Sequence, residues 1–454
     1  MTLEQSLRLA PVLAIAAPAL AFALIALRLG IGHTPGERWT ARLVALAFGV
    51  ATLAIAGAAS AMLVGGLTEV HVALGAWLEV ADRALPFELV LDRLSVPFAG
   101  LAAGLVGLTG AFSARYLHRD RGFARFYLLL CLFGAGVELV LLGGSLELVF
   151  VGWELVGLTS ALLIAFFDER PTPARHGLRA FVIYRVCDVG LLSAAVWLHH
   201  SAGGAGLDAS ERWAGVRVPA GALDATLVGA LLLFAALGKS AQIPFGGWLP
   251  RAMEGPTPSS AVFYGAISIH LGPYLLLRAA PILERAPLAA GLVIAVGALT
   301  ALHATFVGRV QTDVKSALAY ASMTQVGLIF VEIGLGLPWL AIAHVVGHAS
   351  LRTLQLLRAP SVLHDRGHLE RAMGAELPRA GGHLERLVPA RLQPWLYRLA
   401  LERGYHDALV ADRVLAPVVR WLRALDRLEE RWIAWLEGRP AKVAREPERG
   451  EVVR

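Results

Sequence analysis

Apolar stretches of about 20 residues, separated by short polar breaks, fill the first 357 residues. Eleven can be traced, near 9–29, 41–64, 93–113, 123–143, 146–167, 178–198, 222–242, 259–279, 287–308, 314–335 and 338–357. A helix crosses the hydrocarbon core of a bilayer in about 20 residues. Lipid admits only helices or closed barrels, because every backbone polar group must be satisfied internally. The stretches are too long, and too continuously apolar, for barrel strands, which alternate over about ten residues. The expected fold is therefore all-α and polytopic, with about 11 transmembrane helices. No secretory cleavage pattern follows the first stretch, so it reads as a retained helix.

From residue 358 the texture changes: no further long apolar run occurs, and arginines recur to the end. The chain thus divides into a transmembrane domain, 1–357, and a cytoplasmic tail, 358–454. Within the tail, 413–436 carries Val418, Trp421, Leu425, Leu428 and Trp432 at helical spacing, with Arg420, Arg423, Arg427 and Arg431 on the other face. Such an amphipathic helix suits a membrane interface, and equally a partner or the bundle itself. Residues 438–454 are charged, contain proline and read as disordered.

Composition agrees with a lipid-embedded chain. The sequence is 56% hydrophobic and 17% charged, with a mean hydropathy of +0.61, whereas soluble domains carry about 25% charged residues. Cys131 and Cys187 are its only cysteines and both lie in apolar runs, which excludes a disulfide framework and a zinc ribbon. The net charge of +6 does not point to nucleic acid, because the excess sits beside apolar runs and in the tail. It orients the bundle instead. Arg28, Arg38 and Arg42, then Arg115 to Arg125, Arg170 to Arg179, and Arg309 with Lys315 occupy alternate loops, while the 65–92 loop is acidic. The positive-inside rule puts the N-terminus outside and the C-terminus in the cytoplasm, as expected of a multi-pass protein of the cell (inner) membrane surrounded by lipid.

Candidate chemistry lies where it is costly. Glu138, Glu154, Arg185, Asp188, Lys239, His270, His303, Glu332, His344, His348 and Arg352 fall inside apolar spans. One charge at bilayer centre costs at least about 2.5–3.5 kcal/mol, so a series must pair within the bundle. Acids, bases and imidazoles alternating along an interior suit proton relay. Only three lysines occur, Lys239, Lys315 and Lys442. A buried lysine can titrate where arginine cannot, which fits a proton-carrying Lys239; a snorkelling helix-end lysine is the alternative. Pro244 lacks an N–H, so the helix should break near 239–244, and broken helices in lipid line cavities or sites.

These residues also carry a resemblance. Gly238-Lys239-Ser240-Ala241-Gln242, Trp248-Leu249-Pro250 and Ala252 to Pro258 (AMEGPTP) resemble the antiporter-like, proton-conducting subunits, which include respiratory complex I subunit L and the Mrp antiporter large subunit. Gly152-Trp153-Glu154-Leu155-Val156-Gly157-Leu158, Thr312 to Tyr320, Gln325-Val326-Gly327 and His344-x3-His348-x3-Arg352 match further family segments in order, covering about 90–357. The resemblance implies a Glu154–Lys239 pair that opens and closes to move a proton, with His344 and His348 as relay positions. Arg352 stands in place of a lysine as a fixed charge. Tyr264 replaces a histidine, whose role His270 would take. The family's later broken helix and lateral helix are not found after His364. Ser259 to Gly272, Leu357 to Ser361 with Leu363-His364-Asp365, and Leu401 to Tyr405 with Asp407-Ala408-Leu409 resemble the membrane subunit of the Dab inorganic-carbon pump more than subunit L. That branch implies H+ or Na+ as the ion and a large cytoplasmic zinc-containing subunit related to carbonic anhydrases as partner.

Other groups have plainer readings. Glu138 and Glu332 are relay groups or structural hydrogen-bond partners. Arg185 and Asp188, three apart, can neutralise each other. His199-His200 reads as interfacial, and His364-Asp365 with His368 as a solvated loop without a fourth metal ligand. Gly203-Gly204-x-Gly206 follows no strand and is no nucleotide fingerprint. No metal, redox or nucleotide cofactor and no catalytic residue of its own is expected. The alternative assignment is a proton-translocating subunit of a complex I, hydrogenase or Mrp-type assembly; a third is a membrane anchor with vestigial polar groups.

Overall fold

A computed structural model describes residues 3–80, 83–209, 212–373, 388–405, 412–413 and 416–436. The chain divides into two compact units, residues 1–386 and 387–454. In the first, α1 (Leu3–Gly30), α2 (Glu37–Gly65), α3 (Ser95–Tyr116), α4 (Phe123–Leu142), α5 (Leu146–Ile164), α6 (Pro171–Ser201) and α7 (Ala222–Lys239) follow one another. Then come α8 (Leu271–Arg278), α9 (Pro287–Gly308), α10 (Val314–Gly334) and α11 (Pro338–Met373). Most consecutive helices pack as neighbours, α9 with α10 and α1 with α2 most extensively.

Among the described residues ten helical spans are long and apolar enough to cross a membrane, so the chain is a multi-pass membrane protein. The eleventh expected stretch is helical too, but His344, His348 and Arg352 dilute its apolarity. It also runs on past residue 357: at 1.5 Å per residue, its 36 residues extend about 54 Å, well beyond a hydrocarbon core of about 30 Å. Burial sorts the spans. Only a third of the most apolar window of α1, α2 or α9 is buried, against 83% of α4 and all of the 257–278 segment. The last two are the centre of the bundle, and α1, α2 and α9 present leucines outward.

Two regions depart from the sequence reading. The acidic 65–92 stretch is an antiparallel hairpin, β1 (Glu69–Val80) with β2 (Arg83–Asp92), pairing Glu69 with Asp92. Alternation of small apolar and polar residues allows it, and Val72, Leu89 and Leu91 are buried. The 259–279 span is not one regular helix. A single α-helical turn at Thr257–Ser260 passes into a π-helical turn, Ala261–Ala266, and a 3₁₀ turn, Ser268–His270, before α8 begins.

The second unit contains α12 (Gln393–Leu401), a 3₁₀ turn at Arg403–Tyr405 and α13 (Ala416–Leu436). α13 buries no residue and exposes Trp421, Trp432 and Trp435. Val414, the 438–454 segment and the side chains of His364, Asp365 and His368 lie outside the described residues.

Candidate functional site

Lys239 is the last residue of α7 and is wholly buried. Beyond it the chain leaves helical geometry at Ala241, whose φ is 51°. Three hydrogen bonds fix the break in place. The Ser240 hydroxyl donates to the Ile269 carbonyl (2.7 Å), the Trp248 indole to the Gly238 carbonyl (2.9 Å), and the Ile243 amide to the Thr300 hydroxyl (3.0 Å). The break expected at 239–244 is thus a fixed feature.

The Lys239 ammonium lies 3.9 Å from an Asp188 carboxylate oxygen, 4.6 Å from the Tyr184 ring centre and 5.3 Å from that of Trp153. Its Nζ makes no hydrogen bond among the described residues. A desolvated cation–π contact contributes about 2 kcal/mol, less than the cost of the buried charge, so Asp188 supplies what the rings do not. Asp188 accepts from the Trp153 indole (2.6 Å) and from Arg185 (2.7 Å), and Arg185 also pairs with Glu154. The resemblance implies a direct Glu154–Lys239 pair. The structure inserts Arg185 and Asp188, giving the order Glu154, Arg185, Asp188, Lys239. Their i, i+3 spacing sets both on the α6 face toward α5 and α7. Gly157 makes the room: a Cβ there would stand 2.6 Å from Lys239 Nζ and 2.9 Å from an Arg185 nitrogen.

A second polar group occupies α10, α11 and the 261–270 turns. The change of winding brings His270 inward, with Nδ1 2.6 Å from the Ala266 carbonyl and Nε2 2.9 Å from His348 Nδ1. π-turns inside helices cluster at functional sites. His344 bridges Glu332 (2.8 Å) and Gln325 (2.9 Å), and its ring centre is 6.3 Å from that of His348. Arg352 is buried one turn beyond His348. The structure thus brings together His270, His344, His348 and Glu332. Gln325 joins them, signalled in the sequence only by its place in a family segment.

A third group, absent from the sequence reading apart from Glu138, closes the hairpin end. Asp92 accepts from the amides of Leu94 (3.0 Å), Ser95 (2.7 Å) and Ala214 (3.0 Å), and pairs with Arg278. Burial raises the Asp92 pKa, but Arg278 and the Ser95 and Leu94 amides outweigh it and hold the carboxyl below its usual value. Arg278, at the end of α8, also donates to the Ala214 carbonyl (2.6 Å) and the Tyr274 hydroxyl (2.8 Å), and Tyr274 donates to the Leu141 carbonyl (2.5 Å). Glu138, one turn before Leu141, is buried, and its Oε2 makes no hydrogen bond among the described residues. The Asp92-x-x-Ser95 spacing was the available signal; an arginine ending an apolar run looks like a snorkelling residue.

An irregular helical bundle with titratable groups at its broken helices defines a polytopic membrane protein with a polar interior, and comparisons with known proteins make the class specific. Residues 143–375 match the family described as "NADH:quinone oxidoreductase/Mrp antiporter, TM", and 77–127 match "NADH-Ubiquinone oxidoreductase (complex I), chain 5 N-terminus". The chain belongs to the NADH:quinone oxidoreductase/Mrp antiporter membrane family. It is 37% identical over 287 residues to NADH-quinone oxidoreductase subunit L of Pseudomonas aeruginosa, covering 63% of this chain and 47% of that one. It is 33% identical over 356 residues to the Escherichia coli subunit L, covering 77% and 57%. The chain thus spans about half the length of these curated relatives. Among solved structures, a chain of the Mrp complex from Dietzia sp. DQ12-45-1b superposes with a TM-score of 0.64 at 26% identity, covering 86% of this chain and 40% of that one. A chain of an archaeal membrane-bound sulfane sulfur reductase shares the fold, with a TM-score of 0.62 at 18% identity.

Proposed function

We propose that this chain is a proton- or sodium-conducting membrane subunit of a multi-subunit assembly, without catalytic chemistry of its own. The observation that carries the reading is the fully buried Lys239 at a helix break, facing the Asp188–Arg185–Glu154 series. A cation so placed is stable only while its carboxylate partner stays near. Rearranging the series therefore changes how tightly Lys239 holds its proton. His270, His344, His348, Glu332, Glu138 and Arg352 continue the route. Reconstituted in liposomes with its complex, the wild type should carry ion flux; Lys239→Ala and Glu154→Ala should insert normally and carry none. Wild-type flux in either variant overturns the proposal.

Within that class, the assembly is an energy-coupled inorganic-carbon (CO2/bicarbonate) pump, in which the partner is a large cytoplasmic zinc-containing subunit of the carbonic-anhydrase type. The Ser259–Gly272 and Leu357–Asp365 segments support this. The second reading, a subunit of an NADH-quinone oxidoreductase or Mrp-type complex, is favoured by the names of the similar proteins. Growth of a carbonic-anhydrase-deficient host in ambient air, restored by this chain together with such a partner, would decide for the pump. Failure of that pair, with co-purification of redox subunits, decides for the second reading.

A further inference from the structure

Glu138 lies at the centre of the bundle, yet neither the Lys239 series nor the His344 bridge touches it. α4 carries it on the face that Leu141, one turn on, presents to Tyr274 of α8. On the other side, His270 precedes Tyr274 by one turn and is bonded to His348, and His270 and Leu141 line one small pocket with Ala102 and Ile267. Beyond Tyr274, one more turn along α8, stands the buried Arg278–Asp92 pair, where the hairpin and the Ala214 loop cover the end of the helix.

Resting on the ion-conducting reading above, we infer that Glu138 is the terminal proton-holding group of the route, and that Asp92–Arg278 is the plug over it on the hairpin side. A buried carboxyl with an oxygen left without a hydrogen bond is costly unless it exchanges partners. The proton leaves the His348–His270 pair on water admitted to the pocket, reaches its Leu141 edge, and binds a carboxylate oxygen of Glu138, one turn away on α4. The imidazole is left neutral and the carboxyl becomes uncharged. The proton then leaves Glu138 for water on the hairpin side, while Arg278 and Asp92 keep their pair so that neither buried charge is stranded. Tyr274 is a positioning residue. Its hydroxyl is committed as donor to Leu141 and as acceptor from Arg278, so it holds Arg278 in place beside Asp92 rather than passing a proton.

The test uses the full chain in its complex, in liposomes, with a pH dye on each side and a check that each variant melts like the wild type. Glu138→Gln should still take up a proton from the arginine-rich face in a single turnover but release none on the hairpin side, and Glu138→Asp should restore release. Asp92→Asn should raise passive proton leak from the hairpin side. Tyr274→Phe, which keeps the ring, should raise that leak too without abolishing turnover. Wild-type release in Glu138→Gln, with flux still abolished in Lys239→Ala, overturns the inference and leaves the conducting role standing. Unchanged flux in both overturns the conducting role itself. Unchanged leak in Asp92→Asn and Tyr274→Phe overturns the plug.

Discussion

At the scale of the residue, position 157 shows how closely the site is built. A methyl group there would meet the Lys239 ammonium at 2.6 Å and Arg185 at 2.9 Å. Both are the ends of flexible side chains, but Lys239 is wholly enclosed and Arg185 cannot swing aside without leaving Asp188. Gly157→Ala should therefore leave the bundle folded, at a local cost of about 1–3 kcal/mol. It should cut ion flux sharply by pushing Lys239 off its carboxylate; flux in liposomes beside a melting curve checks this. Lys239 itself was legible in the sequence, because a rare lysine coincided with a proline break. The part played by Asp188 was not. Its spacing from Arg185 serves self-neutralisation and bridging equally well, and only the approach of α5 and α7 separates the two.

At the scale of the element, the long spans were readable because lipid imposes a length and an apolarity that few other structures share. The hairpin was not, since its strands are half exposed and its alternation is broken by bulges near Ala73 and Ala76. The π and 3₁₀ turns at 261–270 are likewise invisible in an apolar run, being decided by packing around His270. α9 and α10 meet through Gly297 and Gly327, where a Cβ on either would stand 2.5–2.6 Å from the opposite carbonyl, the small-residue contact typical of membrane helices. The hairpin makes its own pH prediction. His71 lies between Glu69 and Glu88. Partial burial lowers its pKa, but the two carboxylates outweigh that and raise it above the usual 6.5. The folded hairpin thus binds the proton more tightly than the unfolded chain does. That stabilisation is complete below the unfolded value and is lost as pH rises through the folded one. The stability difference between wild type and His71→Gln should be largest below about pH 6 and vanish above about pH 8; thermal unfolding across that range would show it.

At the scale of the whole molecule, the family and the buried centre agree, because the same spans that match relatives enclose the polar groups. One contact also sets the order in which the protein can be made. Asp92 and Arg278 are separated by 186 positions, and a ribosome adding about 5–20 residues per second takes roughly 10–40 s to cover them. Through that interval the hairpin has emerged but its clasp has not, and seven helices are inserted around a carboxylate still waiting for its cation. Biogenesis therefore has a defined closing step, late in translation. Nascent chains arrested before Arg278 clears the insertion machinery should keep a hairpin open to protease, and chains arrested well after it should not. Equal digestion of both would mean that the hairpin closes without its clasp.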